Sequence, residues 1–137
     1  MGNRANSVLC YGIYVSEDNV PWNDEKFEYD LDEYVVWKLT GKNWGDLPDG
    51  VASKTAQDWY KEHDVDFRRT GSCDYVEGIL CMRPSVTHTD WDGPIEVEPA
   101  KMTLFDKEKW KGTLKTVCEF LGVEYKEPRW LLGSYWG

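Results

Sequence analysis

Residues 65–89, VDFRRTGSCDYVEGILCMRPSVTHT, decide how the chain is built. Val65 to Arg69 and Tyr75 to Met82 are rich in β-branched, aromatic and apolar residues, and the turn formers Thr70-Gly71-Ser72-Cys73-Asp74 separate them. Strands joined by so short a connection pair antiparallel, because parallel neighbours need a crossover of roughly a dozen residues or more. Ser85 to Thr89 reads as a further strand. Asp90-Trp91-Asp92-Gly93-Pro94 is a second turn, and Ile95-Glu96-Val97-Glu98 alternates like a half-exposed strand.

Towards the N-terminus, residues 8–15 (VLCYGIYV) read as a buried strand, with Gly12 where another backbone comes close. Residues 16–23 form a loop punctuated by Asn19 and Pro21. The pattern then predicts a helix over 24–40. Asn23 is its N-cap, Asp24 and Glu25 suit the positive end of the helix dipole, and Gly41 stops it. Phe27, Leu31, Tyr34, Val35 and Leu39 make its apolar face. After the loop 41–50, Ser53 caps a shorter helix with Ala56, Trp59, Tyr60 and His63 on one face. Towards the C-terminus, Asp106 caps a helix whose stripe is Trp110, Leu114, Val117, Cys118 and Leu121. Gly122 ends it, with Val123 placed for the accompanying apolar contact. Pro128 breaks the chain, and residues 129–137 (RWLLGSYWG) are too apolar for a solvated tail, so they predict a docked final strand.

The order β, α, α, several β, α, β predicts a single α+β domain over residues 1–137. Its sheet is mixed and mainly antiparallel, with two or three helices packed on one face. A chain of 137 residues is one ordinary domain and needs no metal or disulfide to fold. No internal repeat, low-complexity tract or linker interrupts it.

Sixteen Lys and Arg stand against 25 Asp and Glu, a net charge of −9. Direct nucleic-acid binding is not expected of such a chain, nor is docking on an anionic membrane. No stretch has the ~20 apolar residues of a membrane span. The polar N-terminus reads neither as a signal peptide nor as a myristoylation signal, Asn6 standing where Ser or Thr is required. The expectation is an unexported protein whose four cysteines, Cys10, Cys73, Cys81 and Cys118, stay reduced. Cys10 and Cys118 read as small buried hydrophobes.

The most informative cluster is acidic. Residues 17–34 hold eight acids, Glu17, Asp18, Asp24, Glu25, Glu28, Asp30, Asp32 and Glu33, against one base, Lys26. On a continuous helix Asp24, Glu28 and Asp32 share one flank, with carboxylates about 6 Å apart. Two readings stand: a solvated face that keeps the protein soluble, or a negative face for a basic partner. Eight Trp, eight Tyr and four Phe are the second feature. Trp59, Tyr60 and Trp110 lie on apolar helix faces and read as core. Trp22, Trp44 and Trp91 sit in loops, either as anchors for a partner or as covers for a small core.

Other chemistry is poorly supported. Cys73, Cys81, His63 and His88 lack the paired spacing of a zinc site. Asp90-x-Asp92-Gly93 and Asp30-x-Asp32 are fragments of a calcium loop without its terminal Glu. Cys73 with His88 is a nominal nucleophile and base that nothing in the sequence brings together. No Gly-x-Ser-x-Gly elbow or phosphate loop occurs. No catalytic residue, metal or cofactor is expected.

Three stretches carry a resemblance: the opening Gly2-Asn3-Arg4-Ala5-Asn6 before a strand with Tyr11-Gly12, the turn Gly71-Ser72-Cys73-Asp74-Tyr75, and the ending Trp130-Leu131-Leu132-Gly133-Ser134-Tyr135-Trp136-Gly137. Together they resemble a set of small accessory proteins encoded by tailed bacteriophages. The similarity is strongest at the two ends and patchy between residues 16 and 64. The resemblance implies a setting, the cytoplasm of an infected bacterial host, and carries over no activity. With the acidic segment, it leads to the expectation of a non-enzymatic protein that binds a host protein with a basic surface, such as a defence or nucleic-acid-handling protein. Glu17, Asp18, Asp24, Glu25, Glu28, Asp32 and Glu33 supply attraction, and Trp22 and Trp44 supply anchors. The alternatives are a small-ligand, nucleotide-like binder with an aromatic pocket and, less favoured, a hydrolase. Oligomeric state is not legible.

Overall fold

Strand β1, Ala5–Val15, runs through the middle of the sheet and organises it. The structure is a computed structural model that describes residues 5–72, 76–89 and 94–136. One edge of β1 pairs antiparallel with β6, Arg129–Trp136, in an unbroken ladder from Ala5↔Trp136 to Gly12↔Arg129. The other edge is shared. Gly12–Val15 pair with β4, Gly78–Met82, and Ser7–Leu9 pair with β5, Thr87–Thr89. β2, Val65–Arg69, pairs antiparallel with β4 and forms the far edge. The two-residue β3, Gly71–Ser72, runs parallel to the end of β6. The sheet is therefore mixed and mainly antiparallel; β2 and β4 pair antiparallel as expected, but Gly71 and Ser72, read as part of a turn, form β3 and make the parallel pair.

Helices α1, Leu31–Thr40, α2, Val51–His63, and α3, Lys107–Leu121, all pack on one face. Their buried residues include Leu31, Val35, Ala56, Trp59, Leu114 and Leu121, which meet Tyr11, Ile13 and Val15 of β1 and Leu80 and Met82 of β4. The ends of α3 are those its sequence dictates. Asp106 accepts the Lys109 amide at 3.1 Å, and Gly122 adopts φ 73° while the Val123 amide donates to the Cys118 carbonyl at 3.0 Å.

The opposite face is closed by the sheet itself. β2 and β3 lie at opposite edges, yet Thr70 alone connects them. The chain therefore crosses the concave face from edge to edge, and the sheet curls to allow it. A Cβ on Gly133 would stand 2.8 Å from the Thr70 methyl, and one on Gly12 would stand 2.2 Å from the Leu80 carbonyl oxygen. These positions take glycine because the curl leaves no room for a side chain. Val8, Cys10, Ile79 and Cys81 are buried on this face without any helix over them.

The step between β4 and β5 is a 3-10 turn, Arg83–Ser85, that interrupts pairing with β1. The Tyr11 amide would be left without a partner there. It donates instead to Ser85 Oγ at 2.9 Å, which itself donates to the Met82 carbonyl at 2.6 Å. Ser85 is accordingly buried and belongs to the turn, so the strand begins at Thr87 and not at Ser85.

Four further expectations are corrected. The helix predicted over 24–40 is two elements, a 3-10 turn at Glu25–Phe27 and α1. Asp24 Oδ1 accepts the Lys26 amide at 2.8 Å, Glu28 and Tyr29 turn left-handed at φ 49° and 56°, and Asp30 caps α1 by accepting the Asp32 amide at 2.7 Å. Two capping aspartates compete with helix continuation and win. Asn23 is not a cap; its side chain donates to the Glu17 carbonyl. The second helix starts at Val51 with Gly50, not Ser53, as N-cap. Residues 95–98 are not a strand, and Ile95 and Val97 are exposed. The expected turn at 90–94 lies mostly outside the described residues.

Candidate partner-binding surface

The break in the acidic segment reshapes what it presents. Asp24, Glu28 and Asp32 do not form one helix flank, because residues 28 and 29 leave the helix. Glu17 and Asp18 sit exposed on a separate 3-10 turn, Glu17–Asn19. Asp24, Glu25 and Glu28 are exposed, and Glu33 is half-buried in the first turn of α1. The sequence-predicted acids thus share a region but not a line.

Trp22 is not a loop anchor. It is 1% exposed, its indole nitrogen donates to the Val76 carbonyl at 3.4 Å, and its ring lies against Tyr34 and Phe67. An indole with an apolar body and one satisfied donor is well suited to a core. Trp44 is half-buried and packs against the helical core. The exposed aromatic ring of this segment is Tyr29, 48% accessible in its left-handed turn. Trp91 and Cys73 lie outside the described residues.

One predicted acid enters a built cleft. Asp32, Asp30, Gln57, Tyr60, Asp66 and Arg69 line a polar depression of about 300 Å³ between the start of α1, the end of α2 and β2. Tyr60 Oη donates to Asp32 Oδ1 at 2.6 Å, fixing the carboxylate. Asp66 accepts the Phe67 amide at 2.9 Å and stands 3.5 Å from Arg68 Nη1. Arg69 donates to the Tyr29 carbonyl at 3.4 Å and so ties β2 to the rim turn.

Electrostatics follow from the crowding. Burial raises the Asp32 pKa above its usual value, the Tyr60 hydrogen bond opposes that rise, and the Asp30 charge adds to it. Burial, then Glu28 and Asp30, raise the Glu33 pKa as well. Burial and the Asp32 carboxylate push the Tyr60 phenol up, so it stays a proton donor. A cation entering here would relieve these penalties.

Asp30 and Asp32 are visible in the sequence as two acids at i, i+2. Asp66, Gln57 and Arg69 are not, since only the strand alternation of 65–69 sets Asp66 apart from Val65 and Phe67. Among the described residues no group of three or more His, Cys, Asp or Glu is placed to hold a metal ion. Cys10, Cys81 and Cys118 are buried free thiols. His63 is half-buried with its ring 5.2 Å from that of Trp59, and His88 is exposed on β5. Among the described residues no helix is long and apolar enough to cross a membrane. Comparison with protein-family models, with curated proteins and with solved structures finds no match.

Proposed function

We propose that this protein is a non-enzymatic binding protein that captures a basic segment of a partner protein. The observation that carries this reading is the cleft where Asp30, Asp32 and Asp66 line one depression, with Tyr60 holding Asp32. Glu25 and Glu28 are exposed on the preceding segment, and the charges of Glu28 and Asp30 both act on half-buried Glu33, so the field reaches outward from the cleft. An Arg or Lys side chain from the partner fills the cleft, and Tyr29 replaces Trp22 as the aromatic contact. Acids on the rim set the association rate and its salt dependence, whereas groups in the cleft set how long the complex lasts. In the setting implied by the bacteriophage resemblance, the partner is a host protein with a basic surface, in the cytoplasm of an infected bacterium.

The test is capture of partners from nuclease-treated bacterial lysate at low and high salt, followed by titration of the purified partner. Glu25→Lys with Glu28→Lys leaves the capping aspartates intact and should slow association about tenfold or more at low salt, converging at high salt. Asp32→Asn with Asp66→Asn should speed dissociation. An affinity unchanged in both double variants would refute the acidic surface as the binding site.

A further inference from the structure

The concave mouth of the curled sheet adjoins the acidic cleft along β2, sharing Phe67 and Arg69 with it, but the rest of its lining differs in chemistry. Directly paired residues on neighbouring strands project to the same face of a sheet. Asn6 pairs with Tyr135, and Val8 pairs with His88 on one side and Gly133 on the other. Their side chains therefore share one face within two residues of β1. Arg68 pairs with Ile79, which is buried beside Val8, so Arg68 belongs to that face too. Asn6, Val8, Arg68, Arg69, His88 and Tyr135 line an open cavity of about 300 Å³, and among the described residues no carboxylate lines it. That is a marked local departure in a chain whose acids outnumber its bases 25 to 16.

We propose that this mouth is a binding site for a small anion carrying a planar ring, of the mononucleotide class. Arg68 offers a guanidinium fork of which one nitrogen makes a 3.5 Å contact with Asp66, and a planar fork is the group best shaped for a phosphate. His88, exposed on β5, adds a second donor. Tyr135 gives a half-buried ring for stacking, and the Asn6 amide reads polar edges of the ligand's ring. The cavity is at the small end of ligand sites, which suits one nucleotide and not a dinucleotide. The net charge of −9 repels a polyanion but leaves this locally basic wall open to a single phosphate. The site shares Phe67 and Arg69 with the acidic cleft, and Arg68 contacts Asp66, so His88, which the cleft lacks, is the position that tests the mouth by itself.

The full-length protein is titrated calorimetrically with AMP, GMP, CMP and UMP, then with adenosine and inorganic phosphate separately. At least one mononucleotide should saturate with Kd at or below about 1 mM, and the nucleoside and phosphate alone should each bind about tenfold weaker or worse. Arg68→Gln and His88→Gln should each weaken binding about fivefold to tenfold without moving the melting temperature of the ligand-free protein. His88 is exposed, so its variant keeps the test valid if Arg68→Gln perturbs folding. Three results would overturn the site: no saturable heat with any mononucleotide at about 10 mM, affinity indifferent to both variants, or tighter binding of a single-stranded oligonucleotide than of every mononucleotide.

Discussion

Asp32 is the residue where stability and binding pull against each other. Its carboxylate is taken largely out of water and hydrogen-bonded by Tyr60, with Asp30 nearby, and burial raises its pKa. A carboxyl whose folded pKa exceeds its unfolded value costs stability when ionised. That cost is fully present at neutral pH and fades as pH falls through the folded pKa. Below the unfolded value, near 3.9, both states are protonated and nothing further changes. Asp32→Asn keeps an acceptor for Tyr60 and removes the charge. Its stability at pH 7 should equal or exceed that of the parent, and the gap should close towards pH 4. Urea denaturation at a series of pH values reads this directly. An Asn variant less stable at pH 7 by more than about 1 kcal/mol would show that the charge-assisted Tyr60 bond outweighs burial. In either case the variant should bind the basic partner more weakly, and in the first case the ionised residue is a functional expense.

At the scale of elements, the instructive piece is residues 24–40. Phe27, Leu31, Tyr34 and Val35 do lie inward, but Leu39 of the same expected face is exposed and Val36 is buried instead, so apolar periodicity located most of the buried face. It did not locate the break, because spacing reports which side is apolar and is silent about competing caps. Asp24 and Asp30 are the signal: each is a strong N-cap, and each does cap. Likewise α3 was legible from end to end because its periodicity, cap and terminal glycine all agree. Gly12 was legible as a close approach, but the crossing that pairs β3 with β6 was not, being a contact between residues more than sixty apart. The acidic cleft was half legible for the same reason, since Asp66 and Gln57 reach Asp32 only through tertiary packing. The break makes its own prediction. Glu28 is exposed and holds φ 49°, ψ 34°, a region that disfavours side chains by roughly 1 kcal/mol. Glu28→Gly relieves that strain while loosening the unfolded chain, and the balance should leave stability unchanged or up to about 0.5–1 kcal/mol higher. Glu28→Val should lower it by about 1–2 kcal/mol, a β-branched residue tolerating the left-handed region least. Melting curves of the two variants decide it; a stable Val variant would mean that the turn is not held left-handed.

Across the whole molecule, the C-terminal strand joins what the rest of the chain only brings near. β6 covers one edge of β1 from Ala5 to Gly12, and its last residues receive β3, the crossing that closes the concave face. Trp130 donates its indole N–H to the Met102 carbonyl at 3.0 Å, and its ring meets Tyr11 and Phe105. One strand therefore stabilises the ladder, the segment before α3 and the closure over Cys10 and Cys81. Removing residues 130–137 takes away all the β1–β6 pairs but the last and bares a long apolar edge, a template for aggregation. The truncated protein should show no cooperative melting transition and should associate through the exposed β1. Both proposed sites should be lost with it, for different reasons. The concave mouth loses Tyr135 directly. The acidic cleft loses no lining residue, but Asp66 and Arg69 stand on β2, which keeps its place only while β4 stays paired to β1. Calorimetry and light scattering on the truncated chain measure both effects. A truncated protein that melts like the full chain and still binds a basic partner would mean that β2, β4 and the helices hold the cleft unaided, and that β6 serves the concave mouth alone.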